Sequence, residues 1–127
     1  MNDTIFPLTD LGQDSFLIYL EGFSDFDHFD TPQRGYRTGV YLKHREKCYP
    51  LCFYTPVVLI QDMEYAIKWW GGFIAEYGMV IIDEVTLENM IGTTIKLFAS
   101  HYFDKQKSYT EEEIRRLLDP FDKVPVS

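Results

Sequence analysis

The sequence predicts an α+β domain, a mainly antiparallel sheet with helices packed on one face. Three observations predict it. Short apolar or alternating runs fill most of the first two-thirds of the chain. Segments of helical periodicity fill the second half. The strands largely precede the helices instead of alternating with them. The 127 residues fit one domain spanning 1–127,. A chain of that size can bury roughly two-thirds of its unfolded surface without a disulfide or metal. Aromatic residues make up 17% of it, which suits a sheet-rich core or a surface built to grip,.

The elements follow in order. Residues 16–20 (Phe-Leu-Ile-Tyr-Leu) form an unbroken apolar run, as in a strand buried on both faces,. Residues 21–35, with Gly22, Ser24, Pro32 and Gly35, read as a long loop, and loops of that length are often functional,. Residues 36–44 alternate, with Val40 and Leu42 on one face and Lys43 and Arg45 directed the other way,. A turn at Glu46-Lys47 leads to a third strand over 48–54, which Pro50 should push to an edge or a bulge,. Pro56 breaks that strand, and Val57-Val58-Leu59-Ile60 is a further apolar run.

Asp62 then reads as a helix N-cap, with Met63, Ala66, Ile67 and Trp70 at helical spacing,. Gly71-Gly72 should end or kink that helix, and Gly78 should cap any continuation through Phe73 and Tyr77,. Residues 79–82 suit a strand. Thr86 should cap a helix to about residue 101, with Leu87, Met90, Ile91, Thr94, Leu97 and Phe98 as its apolar stripe and Gly92 allowing close packing,. Thr110 with Glu113 forms a capping box for a last helix that buries Ile114, Leu117 and Leu118,. Asp119-Pro120 stops it, and residues 123–127 form a loose tail,.

Charge is unevenly spread. The net charge is -8, yet residues 1–33 hold seven carboxylates and no Lys or Arg. Arg34, Arg37, Lys43, Arg45 and Lys47 then cluster against Glu46 alone. An acidic balance argues against nucleic acid and against an anionic membrane surface, since both need basic side chains. It favours a basic protein partner, with encounter fastest at low salt. No secretory leader pattern opens the chain, and no apolar run approaches the roughly 18 residues of a membrane span. With Cys48 and Cys52 as the only cysteines, the expectation is a cytoplasmic protein with reduced thiols,.

No catalytic, metal or cofactor site emerges. Cys48 and Cys52 lack the second ligand pair that zinc sites use, unless His44 and His101 supply it at unusual spacing,. Asp25, Asp27 and Asp30 lack the glycine and glutamate of a helical-hand calcium loop,. His28 has carboxylate neighbours but no nucleophile motif, and Asp83-Glu84 precede a helix cap where acids are ordinary,. Trp69-Trp70 is the oddest local string. Adjacent helical residues diverge by about 100°, so one ring can pack inward while Trp70 stays available to a partner.

The segment 21–30 (Glu-Gly-Phe-Ser-Asp-Phe-Asp-His-Phe-Asp) interleaves acids with phenyl rings, and residues 72–90 read as a strand followed by a capped helix. On these features, with its size and acidity, the chain resembles the small immunity proteins that bacteria make against polymorphic or contact-dependent toxins. The resemblance implies a non-enzymatic inhibitor that occludes a toxin's active site, with carboxylates mimicking phosphate where the toxin is a basic nuclease. Glu21, Asp25, Asp27 and Asp30 would then pair with Lys or Arg of the partner, Phe26 and Phe29 would fill its pockets, and Trp70 would add contact. Two alternatives use other features. One is a small enzyme or ligand-binding domain with a pocket lined by Tyr36, Tyr54, Trp69, Trp70 and Tyr77, with His28 or Asp83 as its polar group. The other is an adaptor subunit that oligomerises through the same surfaces.

Overall fold

The computed structural model describes residues 4–12, 14–20, 35–69 and 78–118. It has the α+β class expected, with five strands among the described residues in the order β1-β2-β3-β4-β5. These are β1 (Thr4–Pro7), β2 (Ser15–Tyr19), β3 (Tyr36–His44), β4 (Lys47–Tyr54) and β5 (Met79–Ile81). The first four pair antiparallel, and β5 runs parallel to β4. A parallel pair needs a long connection, and helix α1 (Pro56–Trp69) lies within it. Helices α2 (Leu87–Ala99) and α3 (Glu111–Leu118) follow. No helix among the described residues is long and apolar enough to cross a membrane.

Strand β2 explains how the layers are arranged. Its residues are apolar on both faces, so both faces need cover. Leu17 and Tyr19 join Val40, Leu42, Leu51 and Phe53 beneath Met90 of α2. Ile18 and Leu20 join Tyr41 and Cys48 around Ile114 of α3. The expected packing on one face holds for α2, and α3 covers the opposite side. Both helices start as the sequence indicates. Thr86 accepts a hydrogen bond from the Asn89 amide at 3.1 Å. The Thr110 amide donates to Glu113 Oε1 at 2.9 Å, and the Glu113 amide donates to Thr110 Oγ1 at 3.2 Å. Those Thr110 contacts hold the Glu113 carboxyl below its usual range,.

Several local expectations are corrected. The turn falls at Arg45–Glu46, not Glu46-Lys47, and His44 pairs directly with Lys47. Arg45 therefore leaves the strand, with a φ of 58° in the turn. Pro50 is not on an edge strand, because β4 has β5 beyond it. The physical reason is a gap in the ladder. The Cys48 and Cys52 amides point away from β3, to Tyr109 O at 2.8 Å and Gly78 O at 2.9 Å. Pro50 lies midway between them, where β5 has not yet begun, so its missing N–H leaves no ladder bond unmade,.

The run Val57-Val58-Leu59-Ile60 is helical, and Asp62 lies inside α1, not at its start. Thr55 caps that helix by accepting from the Val58 amide at 3.3 Å, and Pro56 takes the first helical position, where its fixed φ fits,. The second helix ends at Ala99, with His101 left-handed at a φ of 65°. Gly92 makes no close approach, since a Cβ there would meet nothing within 4 Å. Gly92→Ala should therefore stabilise the protein by about 1 kcal/mol through helix propensity. Urea unfolding at equilibrium measures it, and a loss of stability would contradict the open space.

Candidate functional site

The predicted partner-binding residues Glu21, Asp25, Phe26, Asp27, Phe29, Asp30 and Trp70 lie outside the described residues. So do His28 and Tyr77, the loop over 21–34 and the tail over 123–127. The residues that bracket the acidic segment are described. The Leu20 amide donates to Gly39 O at 2.9 Å, and Gly35 O accepts from the Thr55 amide at 2.9 Å. Both anchors sit at one end of the sheet, where Tyr36 pairs with Tyr54. Arg45 and Lys47 sit at the other end, a full strand of nine residues away, or about 30 Å.

Two features lie beside these anchors. Arg37 is buried at 3% exposure, and its guanidinium stacks over the Tyr19 ring at 4.2 Å. Burial pushes the Tyr19 hydroxyl up to about 12, against the opposing pull of Arg37. The first turn of α1 lies against Gly35, where a Cβ would come within 2.5 Å of Val58 Cγ2. From that turn an apolar stripe faces solvent: Val57, Ile60 and Ile67 are each 60% exposed or more. Residues spaced in this way share one side of a helix.

A concavity lies at the opposite end of the sheet, a cleft of about 810 Å³. Its walls are aromatic: Phe16 from β2, Tyr49 from β4, Phe98 from α2, and Phe103 from the short 3-10 helix Tyr102–Lys105. The His44 and Phe98 ring centroids are 4.7 Å apart, and those of Tyr49 and Phe103 are 5.0 Å apart. His44 is the polar group among these rings. Its Nδ1 lies 2.6 Å from Ser15 Oγ, which also contacts the Leu11 carbonyl at 3.3 Å. A carbonyl only accepts, so the Ser15 hydroxyl donates to Leu11 and its oxygen accepts from Nδ1–H. That assignment leaves Nε2 as the open ring nitrogen. Burial, with Arg45 and Lys47 nearby, holds the His44 pKa below its usual value, while Asp14 pulls the other way.

No protein-family model, curated protein or solved structure matches this chain.

Ser15 and His44 do not form a nucleophile and base, because Ser15 is 1% exposed and no substrate carbon could reach it,. Ser15 orients the imidazole. Of the residues expected to line an aromatic pocket, Trp70 and Tyr77 lie outside the described residues, while Tyr36 and Tyr54 are described. Tyr36 and Tyr54 stack across β3 and β4 at 6.1 Å, and Tyr54 is buried. Asp83 and Glu84 are exposed, and the Glu84 carbonyl accepts from the Asn89 side chain. Cys48 and Cys52 are buried thiols, and burial pushes Cys48 up to about 11, which disfavours the thiolate that metals and electrophiles need,. No cluster of three metal-ligating side chains occurs among the described residues.

Sequence reasoning missed the cleft because five separated elements build it. The one available signal was His44 at the end of an amphipathic strand, flanked by Lys43, Arg45 and Lys47 in an otherwise acidic chain.

Proposed function

We propose that the protein is a non-enzymatic binding domain that inhibits a basic protein partner, as an immunity protein inhibits its toxin. The observation that carries this reading is where the acidic segment is inserted. Adjacent antiparallel strands need two to five residues to connect them, yet residues 21–34 stand between β2 and β3,. Inserted loops of that length on a rigid scaffold are where recognition residues concentrate. The segment carries Glu21, Asp25, Asp27 and Asp30 against Arg34 alone, and the exposed stripe Val57–Ile60–Ile67 begins beside its C-terminal anchor. Carboxylates in such a segment, with an apolar stripe near its anchor, suit a partner with a Lys- and Arg-rich site.

The test is capture from the native lysate at low and at high salt, followed by assay of the captured protein. A basic partner that is released by salt and loses its activity in the complex supports the reading. A captured acidic partner, or one whose activity is untouched at saturation, rules it out.

A further inference from the structure

The cleft at the Arg45 end of the sheet lies at the opposite end from Leu20 and Gly35 and has the volume of a small-molecule site, roughly 300–1,000 Å³,. Its electrostatics divide it in two. Arg45 and Lys47 act on His44 against Asp14 alone, so the imidazole lies in a net positive field. At the other end burial, and after it the Asp104 carboxylate, pushes the Tyr49 hydroxyl up. Two further rim charges are engaged: Lys43 pairs with Glu111, and Asp104 with His101. Between the two ends, the tilted rings of Phe98 and Phe103 stand 6.4 Å apart and offer a flat guest both faces and edges,.

We propose that this cleft binds a small planar aromatic carboxylate, its ring against Phe98 and Phe103 and its carboxylate among His44 Nε2, Arg45 and Lys47. The Ser15 contact commits Nδ1–H, so Nε2 must take up a proton before it can donate to the ligand. Anion binding and protonation of His44 are thereby linked. The affinity rises as pH falls from the pKa of the bound form toward the lowered pKa of the free form. Besides Arg45 and Lys47, the charged groups that face the cleft are Asp14, Lys43, Glu46 and Asp104. All of them stay in place when His44 alone is replaced.

Calorimetric titration of the full chain with naphthoate, naphthamide and cyclohexanecarboxylate tests the site. Naphthoate should bind at least about tenfold tighter than either analogue. Its affinity should rise as pH falls from about 8 to about 6, and His44→Gln should abolish that rise. The double variant Arg45→Asn, Lys47→Gln alters an exposed turn residue and the exposed first residue of β4, and asparagine accepts the positive φ at position 45,. It should fold normally and bind naphthoate at least about tenfold more weakly. Equal binding of naphthoate and naphthamide would reduce the site to an apolar cavity and overturn the proposal. Absence of saturable binding, or a pH dependence that survives in His44→Gln, would do the same.

Discussion

Replacing Asp25, Asp27 and Asp30 together by asparagine should weaken binding to the basic partner by about a thousandfold. Close charge pairs at protein interfaces couple by about 1.5 kcal/mol or more each, and three such pairs give that factor. Asparagine keeps the shape and hydrogen-bonding reach of aspartate, so the change isolates charge. Much of the loss should appear in the dissociation rate, with a smaller, salt-dependent part in the association rate. The competing outcome is specific. Arg37 is buried at the same end of the sheet as Leu20 and Gly35. If these carboxylates serve Arg37 within the chain, the triple variant loses thermal stability while its affinity holds. Breaking a buried ion pair from one side costs about 3–5 kcal/mol, which a melting curve registers clearly. Melting and titration of one variant therefore separate recognition from internal neutralisation. Sodium chloride adds a second check, because the affinity of the unaltered protein should fall with salt more steeply than that of the variant.

What could be read from the sequence depended on whether a single element carried the signal. The span of β3 followed from alternation alone, because Val40 and Leu42 fill the core while Lys43 turns to the other face. Helices α2 and α3 were set by Thr86 and Thr110, whose side chains satisfy amides that the first helical turn cannot,. The start of α1 was not legible, since Val57-Val58-Leu59-Ile60 has no period and β-branched residues favour strands. Thr55-Pro56 held the answer, as a cap followed by a pre-set first residue, but the proline reads equally well as a strand breaker. The cleft was less legible still. Ser15, His44, Tyr49, Phe98 and Phe103 meet only after three strands register and α2 docks, and no local spacing encodes that meeting. The acidic segment is the reverse case: its charge is plain in the sequence, and its two anchors locate its ends.

Gly78→Ala should destabilise the protein by about 4 kcal/mol or more, among the largest effects a single methyl group can produce. Gly78 has a φ of 67°, where any residue with a Cβ pays roughly 1–2 kcal/mol,. The larger contribution is steric. An alanine Cβ would stand 1.9 Å from the Pro50 carbonyl oxygen, 2.6 Å from its carbon and 3.1 Å from Leu51 Cα. All three atoms are backbone, so no side chain can rotate away. Relief requires the strands to part, and Gly78 O is the acceptor for the Cys52 amide at the point where the parallel ladder starts. Since β5 pairs over only three residues, Cys52 with Met79, Phe53 with Val80 and Tyr54 with Ile81, a shift at the residue just before it threatens the whole ladder. Gly92→Ala is the matched control, the same added methyl group with the opposite sign. Urea titrations of the two variants under identical conditions should move the midpoint in opposite directions. A cost for Gly78→Ala no larger than the bare backbone penalty would mean that β4 and Gly78 do not approach as closely as the fold requires.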